Sequence, residues 1–267
     1  MKHKQIIDKI GVGQLAQAIE EDLIRLINLT MSLKRGGSIK DIPSYVLPLL
    51  LTRWDCVLLA EDGIAIHYKE KVVLTLATLL HKYGLSDKII TDKAINAIDH
   101  LNEAVVLSDD FYRKSPQIKD LLLTKPLEWK RRPKIPKNTT FFRPNDIVSI
   151  KLDDKYYVAY IHELTGVNES PILEFYDSVF ENKPAIEDIT ALKAKGEKYN
   201  DGKVRIAHFA IYGMKYQPDF ANQVHLIRAG NLEMIPDNSH LEEAIGLFTV
   251  SDLFAIQKTI EKMFEER

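Results

Sequence analysis

A chain of 267 residues with 45% hydrophobic side chains can bury a substantial core, as one large domain or two smaller ones. Its single cysteine, Cys56, excludes an intrachain disulfide and a cysteine-based zinc cluster, and its most apolar run, residues 46–51, holds Pro48 and is followed by Arg53 and Asp55, far short of the roughly 20 apolar residues of a membrane span. The formal charge of −2 is unevenly divided: residues 1–140 carry 22 basic against 17 acidic side chains, residues 141–267 carry 14 against 21, and the second part is therefore net −7.

The opening "MKHKQIIDKI" mixes charge with apolar residues, unlike a signal peptide, so a cytoplasmic protein without membrane contact is expected. From Gln14, Leu15, Ile19, Leu23, Ile27 and Leu33 recur mostly at the four-residue step of one helical face, and Gly36 with Gly37 ends the pattern. A second helix is predicted over residues 44–60, with Pro48 in its first turn or kinking it, and a third over 65–83 with Gly84 as its stop. Further helical segments at 93–106 and 115–123 complete an all-α region, residues 1–124, read as an antiparallel bundle. The stretch "KPLEWKRRPKIPK", Lys125–Lys137, then brings six basic residues, one acid and three prolines. Proline removes backbone donors and like charges repel, which predicts an extended linker over 125–140.

Periodicity switches from helix to strand after the linker. Val148, Ile150 and Leu152 alternate with Ser149 and Lys151, and Tyr156, Val158 and Tyr160 with Tyr157 and Ala159; a three-residue loop, Asp153 to Lys155, would put both apolar sets on one face. Further strands are predicted at 172–176, 204–212, 223–228 and 232–235, the last two joined across Ala229, Gly230 and Asn231. Between them Pro184, Glu187 and Asp188 mark the start of a short covering helix, Ser239 to Glu242 matches a capping box, and Leu253, Phe254, Ile256, Ile260, Met263 and Phe264 line one face of a closing helix. The expected fold class is α+β: a helical bundle, then a small, mostly antiparallel sheet domain with covering helices over 141–267.

No motif for catalysis stands out. His162, His208 and His225 lie in or beside predicted strands, yet no H-x-H, H-E-x-x-H or Cys/His spacing occurs, so neither a metal nor a cofactor is expected. Cys56 sits in an apolar run and reads as core, and the glycines of "GVG", Gly11–Gly13, follow no strand as a phosphate-binding loop requires. Asp153 with Asp154 reads as turn chemistry, and no G-x-S-x-G elbow is present. The expectation is a protein without enzymatic activity; the rival class is a hydrolase or transferase assembled from His162, His208 and Asp177 by folding. The linker residues Trp129, Lys130, Arg131, Arg132, Lys134 and Lys137 offer phosphate affinity and one stacking platform, the basis of an alternative reading as a nucleic-acid-binding regulator.

The hairpin carries a family resemblance. The aromatic pair Phe141 and Phe142, Asn145 with Asp146, the strand "IVSIKL", the turn "DDK", the strand "YYVAYI" and the later "ILEFYDSVF", Ile172–Phe180, resemble the start of the immunity protein 26 family over roughly residues 141–235, with Asn145 where a glycine is expected. The resemblance implies a non-catalytic bacterial protein that binds and neutralises a toxin. Nuclease toxins are basic because their substrates are polyanions, so the acids Asp153, Asp154, Glu163, Glu174 and Asp177 are expected to steer such a partner, with an exposed Tyr157 as anchor.

Overall fold

A computed structural model of the chain describes residues 1–35, 41–127, 132–137 and 139–265. It is an α+β protein that divides into two compact units, one of residues Met1–Leu51 and Val57–Pro136, the other of Thr52–Cys56 and the chain from Lys137 onward.

The first unit contains α1 (His3–Ile10), α2 (Gly13–Arg35), most of α3 (Pro43–Leu58), α4 (Ile66–Lys82), α5 (Lys88–Glu103) and α6 (Asp109–Leu123). Their ends follow local chemistry. Gly11 closes α1 at φ 70°, a left-handed conformation that glycine adopts without strain. The Asp87 carboxylate accepts the Ile90 amide at the start of α5, and the Ser108 hydroxyl accepts that of Phe111 at the start of α6. Helix α4 is the axis of the unit, since Val72 through His81 are all buried and α1, α2, α5 and α6 pack around it. Its two threonines tolerate this because their hydroxyls donate back to the carbonyls of Lys71 and Leu74, both at 2.7 Å.

The second unit is built on a six-stranded sheet. Its strands are β1 (Ile147–Leu152), β2 (Lys155–Thr165), β3 (Ser170–Phe180), β6 (Phe209–Tyr212), β7 (Val224–Arg228) and β8 (Thr249–Asp252), in the order β7-β1-β2-β3-β6-β8. All neighbours are antiparallel except β6 and β8, which run parallel. A separate ribbon joins β4 (Glu197–Lys198) to β5 (Val204–Arg205). On one face Val148, Ile150, Leu152, Tyr157, Ala159, Leu173 and Phe175 pack against Ile256, Ile260, Met263 and Phe264 of the last helix, α7 (Ala255–Glu265). On the other, Ile147, Val158, Tyr160 and Tyr176 are covered by Ile189, Ile186 and Leu192 from a single 3-10 turn, Ile186–Ile189, and its flank.

Four local expectations need correction. The hairpin turn has two residues, not three: Asp153 takes φ 52° and Leu152 pairs directly with Lys155. That one-residue difference reverses the facing, so Val148, Ile150 and Leu152 share a face with Tyr157 and Ala159, while Val158 and Tyr160 point to the other side. Leu232 to Ile235 is no strand, because Leu232–Met234 forms a 3-10 turn capped by the Asn231 side chain. No helix follows Ser239, whose amide bonds the Asp237 carboxylate in a tight turn. The covering helix predicted after Pro184 shortens to the single 3-10 turn.

The second unit also buries an ion pair. Arg53 donates two hydrogen bonds to the Asp219 carboxylate at 2.7 and 3.0 Å and one to Gln223 Oε1, and neither charged side chain is more than 4% exposed. Asp219 accepts the Gln223 and Val224 amides as well. Cys56 is buried nearby in the sequence, and burial pushes its thiol up to about 12, as suits an inert core residue.

His225 on β7 gives a pH prediction. Burial first, then the neighbouring Lys183 charge, lowers it from 6.5 to about 4, with Lys151 acting the same way and Asp219 opposing. The unfolded chain therefore takes up a proton below 6.5 that the fold refuses until about 4, and stability falls as pH drops through that window, by up to about 3 kcal/mol from this residue. His225→Gln should flatten the decline between pH 6.5 and pH 4 in urea unfolding, while an unchanged slope would show that His225 titrates alike in both states.

Candidate functional site

Three neighbouring strands bring His162, Glu174 and His208 to one place. Glu174 on β3 stands opposite Tyr160 on β2, and His208 sits one residue beyond the Leu173–Phe209 pair that joins β3 to β6. The register between β2 and β3 shifts between Ile161 and Glu163, leaving His162 as the extra residue of a bulge, a device that re-aims a side chain. His162 Nε2 lies 2.7 Å from Glu174 Oε2 and His208 Nε2 lies 3.7 Å from the same oxygen, while Asn238 Nδ2 donates to Oε1 at 3.1 Å. The two imidazoles lie with ring centroids 4.9 Å apart and planes tilted by 59°, and Tyr160 meets His162 edge-on, its own hydroxyl donating to Asn145.

Glu174 is completely buried, whereas each histidine side chain is about a quarter exposed, 25% in both cases. Burial by itself would raise the carboxyl, but hydrogen bonds from His162 and Asn238, the approach of His208 and the His162 charge outweigh it and hold Glu174 near 2. The site is thus a fixed carboxylate with donors on both oxygens. At 3.7 Å, His208 Nε2 is too distant for a hydrogen bond, and this buried atom has no hydrogen-bond partner among the described residues. The three ligand-type atoms all lie within 4.8 Å of one another. His208 also lines a cleft of about 250 Å3 with Ile206, Ile245, Phe248 and Thr249.

The remaining expected site residues are dispersed. Asp153 and Asp154 are exposed in the β1–β2 turn, and Glu163 is exposed toward the other end of β2, roughly 30 Å along the strand at about 3.3 Å per residue. Asp177 is exposed but bonded to Lys195 at 3.0 Å, and lies three residues along β3 from Glu174, so the histidines converge on Glu174 and not on Asp177. Two expected contact residues are withdrawn from the surface. Glu174 is the buried centre just described, and Tyr157 is only 6% exposed, packed edge-on against Phe264 at 4.9 Å; a sheet covered on both faces leaves neither available to a partner.

Of the linker residues, Trp129, Lys130 and Arg131 lie outside the described residues. Arg132 is engaged with α2, donating to the Asn28 side chain and, at 3.2 Å, to the Asn28 carbonyl, while Lys134 and Lys137 are exposed. No family model, curated protein or solved structure matches the chain.

Sequence reasoning left out one surface feature altogether. Ile245, Leu247, Phe248 and Val250 are exposed in and just before β8, Leu247 at 85% and Val250 at 61%. β8 forms one edge of the sheet, and residues 245–252 contain no lysine, arginine or proline. The signal was present as Ile245, Leu247, Phe248 and Val250 clustered within six residues, but it was hidden by the expectation of a helix after Ser239.

Proposed function

We propose that the chain is a non-catalytic, immunity-type protein whose acidic second unit binds a basic bacterial toxin and blocks it. The observation that carries this reading is the exposed apolar edge from Ile245 to Val250. An edge strand presents unpaired backbone donors and acceptors, and natural proteins guard such edges with charge or proline unless a partner covers them. Over residues 245–252 this edge carries one acid, Asp252, and no lysine, arginine or proline, and residues 141–267 are net −7, so it suits an extended segment of a positively charged protein adding a strand to β8. The resemblance at the hairpin supports the same class. Asn145 takes φ 69°, the left-handed region that glycine favours, and Asp146 accepts the Arg143 and Gly230 amides, so both residues of the pair have conformational work at the strand entrance.

Capture from native lysate, split into nuclease-treated and untreated halves, should recover from both one basic protein that arrests growth when expressed alone and is neutralised when expressed with this chain. Leu247→Asp with Val250→Lys should weaken that complex at least tenfold. Asp153→Lys with Asp154→Lys should slow association and reduce its salt dependence, as expected of steering charges. Recovery of nucleic acid alone, lost on neutralising Lys130, Arg131 and Arg132, would replace this reading with the nucleic-acid regulator.

A further inference from the structure

We propose that His162, Glu174 and His208 bind one divalent transition-metal ion of the zinc class, with a fourth coordination position facing the cleft beside His208. This inference does not depend on toxin binding. The donor set is two imidazole nitrogens and one carboxylate oxygen, which zinc accepts readily and which the oxygen-seeking calcium and magnesium ions do not favour.

Distances fit the ion. Ligands at about 2.0–2.2 Å around a tetrahedral centre stand roughly 3.3 Å apart. The separations to Glu174 Oε2, 2.7 Å from His162 and 3.7 Å from His208, straddle that spacing to within about half an ångström, and the two nitrogens lie within 4.8 Å of each other, so seating an ion asks the imidazoles to draw together around Oε2. All three residues stand on or beside strands of one sheet, which limits larger movement. Asn238 occupies Oε1 and leaves Oε2 as the ligand, the outer-shell arrangement that orients metal-binding carboxylates.

A bare hydrogen-bonded cluster accounts for His162 but not for His208. Its Nε2 is buried with no hydrogen-bond partner among the described residues, an unfavourable state that a bound cation would relieve. The first unit provides the contrast. There Glu70 also lies between two histidines, but His67 approaches Oε2 at 2.9 Å and His100 approaches Oε1 at 3.1 Å, with side chains 44% and 63% exposed. Those are well-exposed imidazoles on separate oxygens of Glu70; at Glu174 both imidazoles approach one oxygen. Because His162 and His208 remain partly exposed and the cleft of about 250 Å3 adjoins His208, an ion has an entry path and can keep a water or exchange it for a small ligand.

The test is titration of the untagged, chelator-treated full chain with Zn2+ by calorimetry and with Co2+ by visible absorption. One ion per chain should bind, and Co2+ should show the intense bands of low-coordinate geometry. His208→Ala and His162→Ala should each weaken binding roughly 100-fold, and Asn238→Ala about tenfold. His67→Ala and His3→Ala should leave it unchanged. The histidine variants carry the test because loss of the buried Glu174 risks the fold, and circular dichroism confirms that each variant remains folded. Absence of stoichiometric Zn2+ or Co2+ binding, or binding indifferent to both His162→Ala and His208→Ala, would overturn the assignment.

Discussion

Asp219→Asn should lower the stability of the second unit by about 3–5 kcal/mol, the usual result of leaving one partner of a buried ion pair uncompensated. The cost falls on Arg53, which is 3% exposed and has its guanidinium directed at both Asp219 oxygens. At roughly 2–4 °C per kcal/mol for a chain of this size, the thermal midpoint at pH 7 should drop by about 6–20 °C. Adding Arg53→Met should recover much of the loss, since it removes the stranded charge while the asparagine carbonyl oxygen can still accept the Gln223 and Val224 amides that Asp219 accepts in the wild type. A single variant within about 1 kcal/mol of wild type would mean that water reaches the pair. A double variant no better than the single would place the energy in the backbone bonds alone.

Phe175→Ala is the second large effect, expected at about 3–5 kcal/mol for a fully buried aromatic. Phe175 has no exposed surface and meets Phe209 and Phe264 at ring-centroid distances of 6.0 and 6.2 Å, both edge-on. Truncation therefore removes the shared contact between β3, β6 and α7. Denaturant unfolding should show the midpoint fall with the slope unchanged, and Phe175→Leu should retain more than half of the lost stability. Protease cleavage within residues 255–265 should begin earlier in the alanine variant, because Phe264 loses its neighbour. Equal sensitivity of the two proteins there would show that α7 is anchored by Ile256 and Ile260 instead.

The helices of the first unit were legible because their information is local. For α2 to α6 the apolar step of about four residues and stops such as Gly84 lie within a turn or two of what they control, whereas α1 was not anticipated. The sheet was legible in its strands but not in its register. Asp153 at φ 52° shortens the hairpin turn by one residue, and since side chains alternate with period two, that residue decides which face Tyr157 occupies. The exposure assigned to Tyr157 and Glu174 failed for a related reason: "ILEFY" lies in a strand covered on both faces, where a charged residue in the run does not identify a solvent side. The histidine–carboxylate cluster had no sequence signature, because its members are 12 and 34 residues apart and meet only through the order β2-β3-β6. His162 depends further on a bulge that no single strand could announce.

The placement of α7 bears on the fate of the nascent chain. One apolar face of the sheet, with residues from β1, β2, β3, β6 and β7, packs against Ile256, Ile260, Met263 and Phe264. At about 5–20 residues per second, residues 147–265 take roughly 6 to 24 s to synthesise, and until Ala255–Glu265 leaves the ribosome that face has nothing to close it. The second unit is therefore expected to emerge as a substrate for chaperones that hold exposed apolar strands, and to fold in a late step when its final helix becomes free.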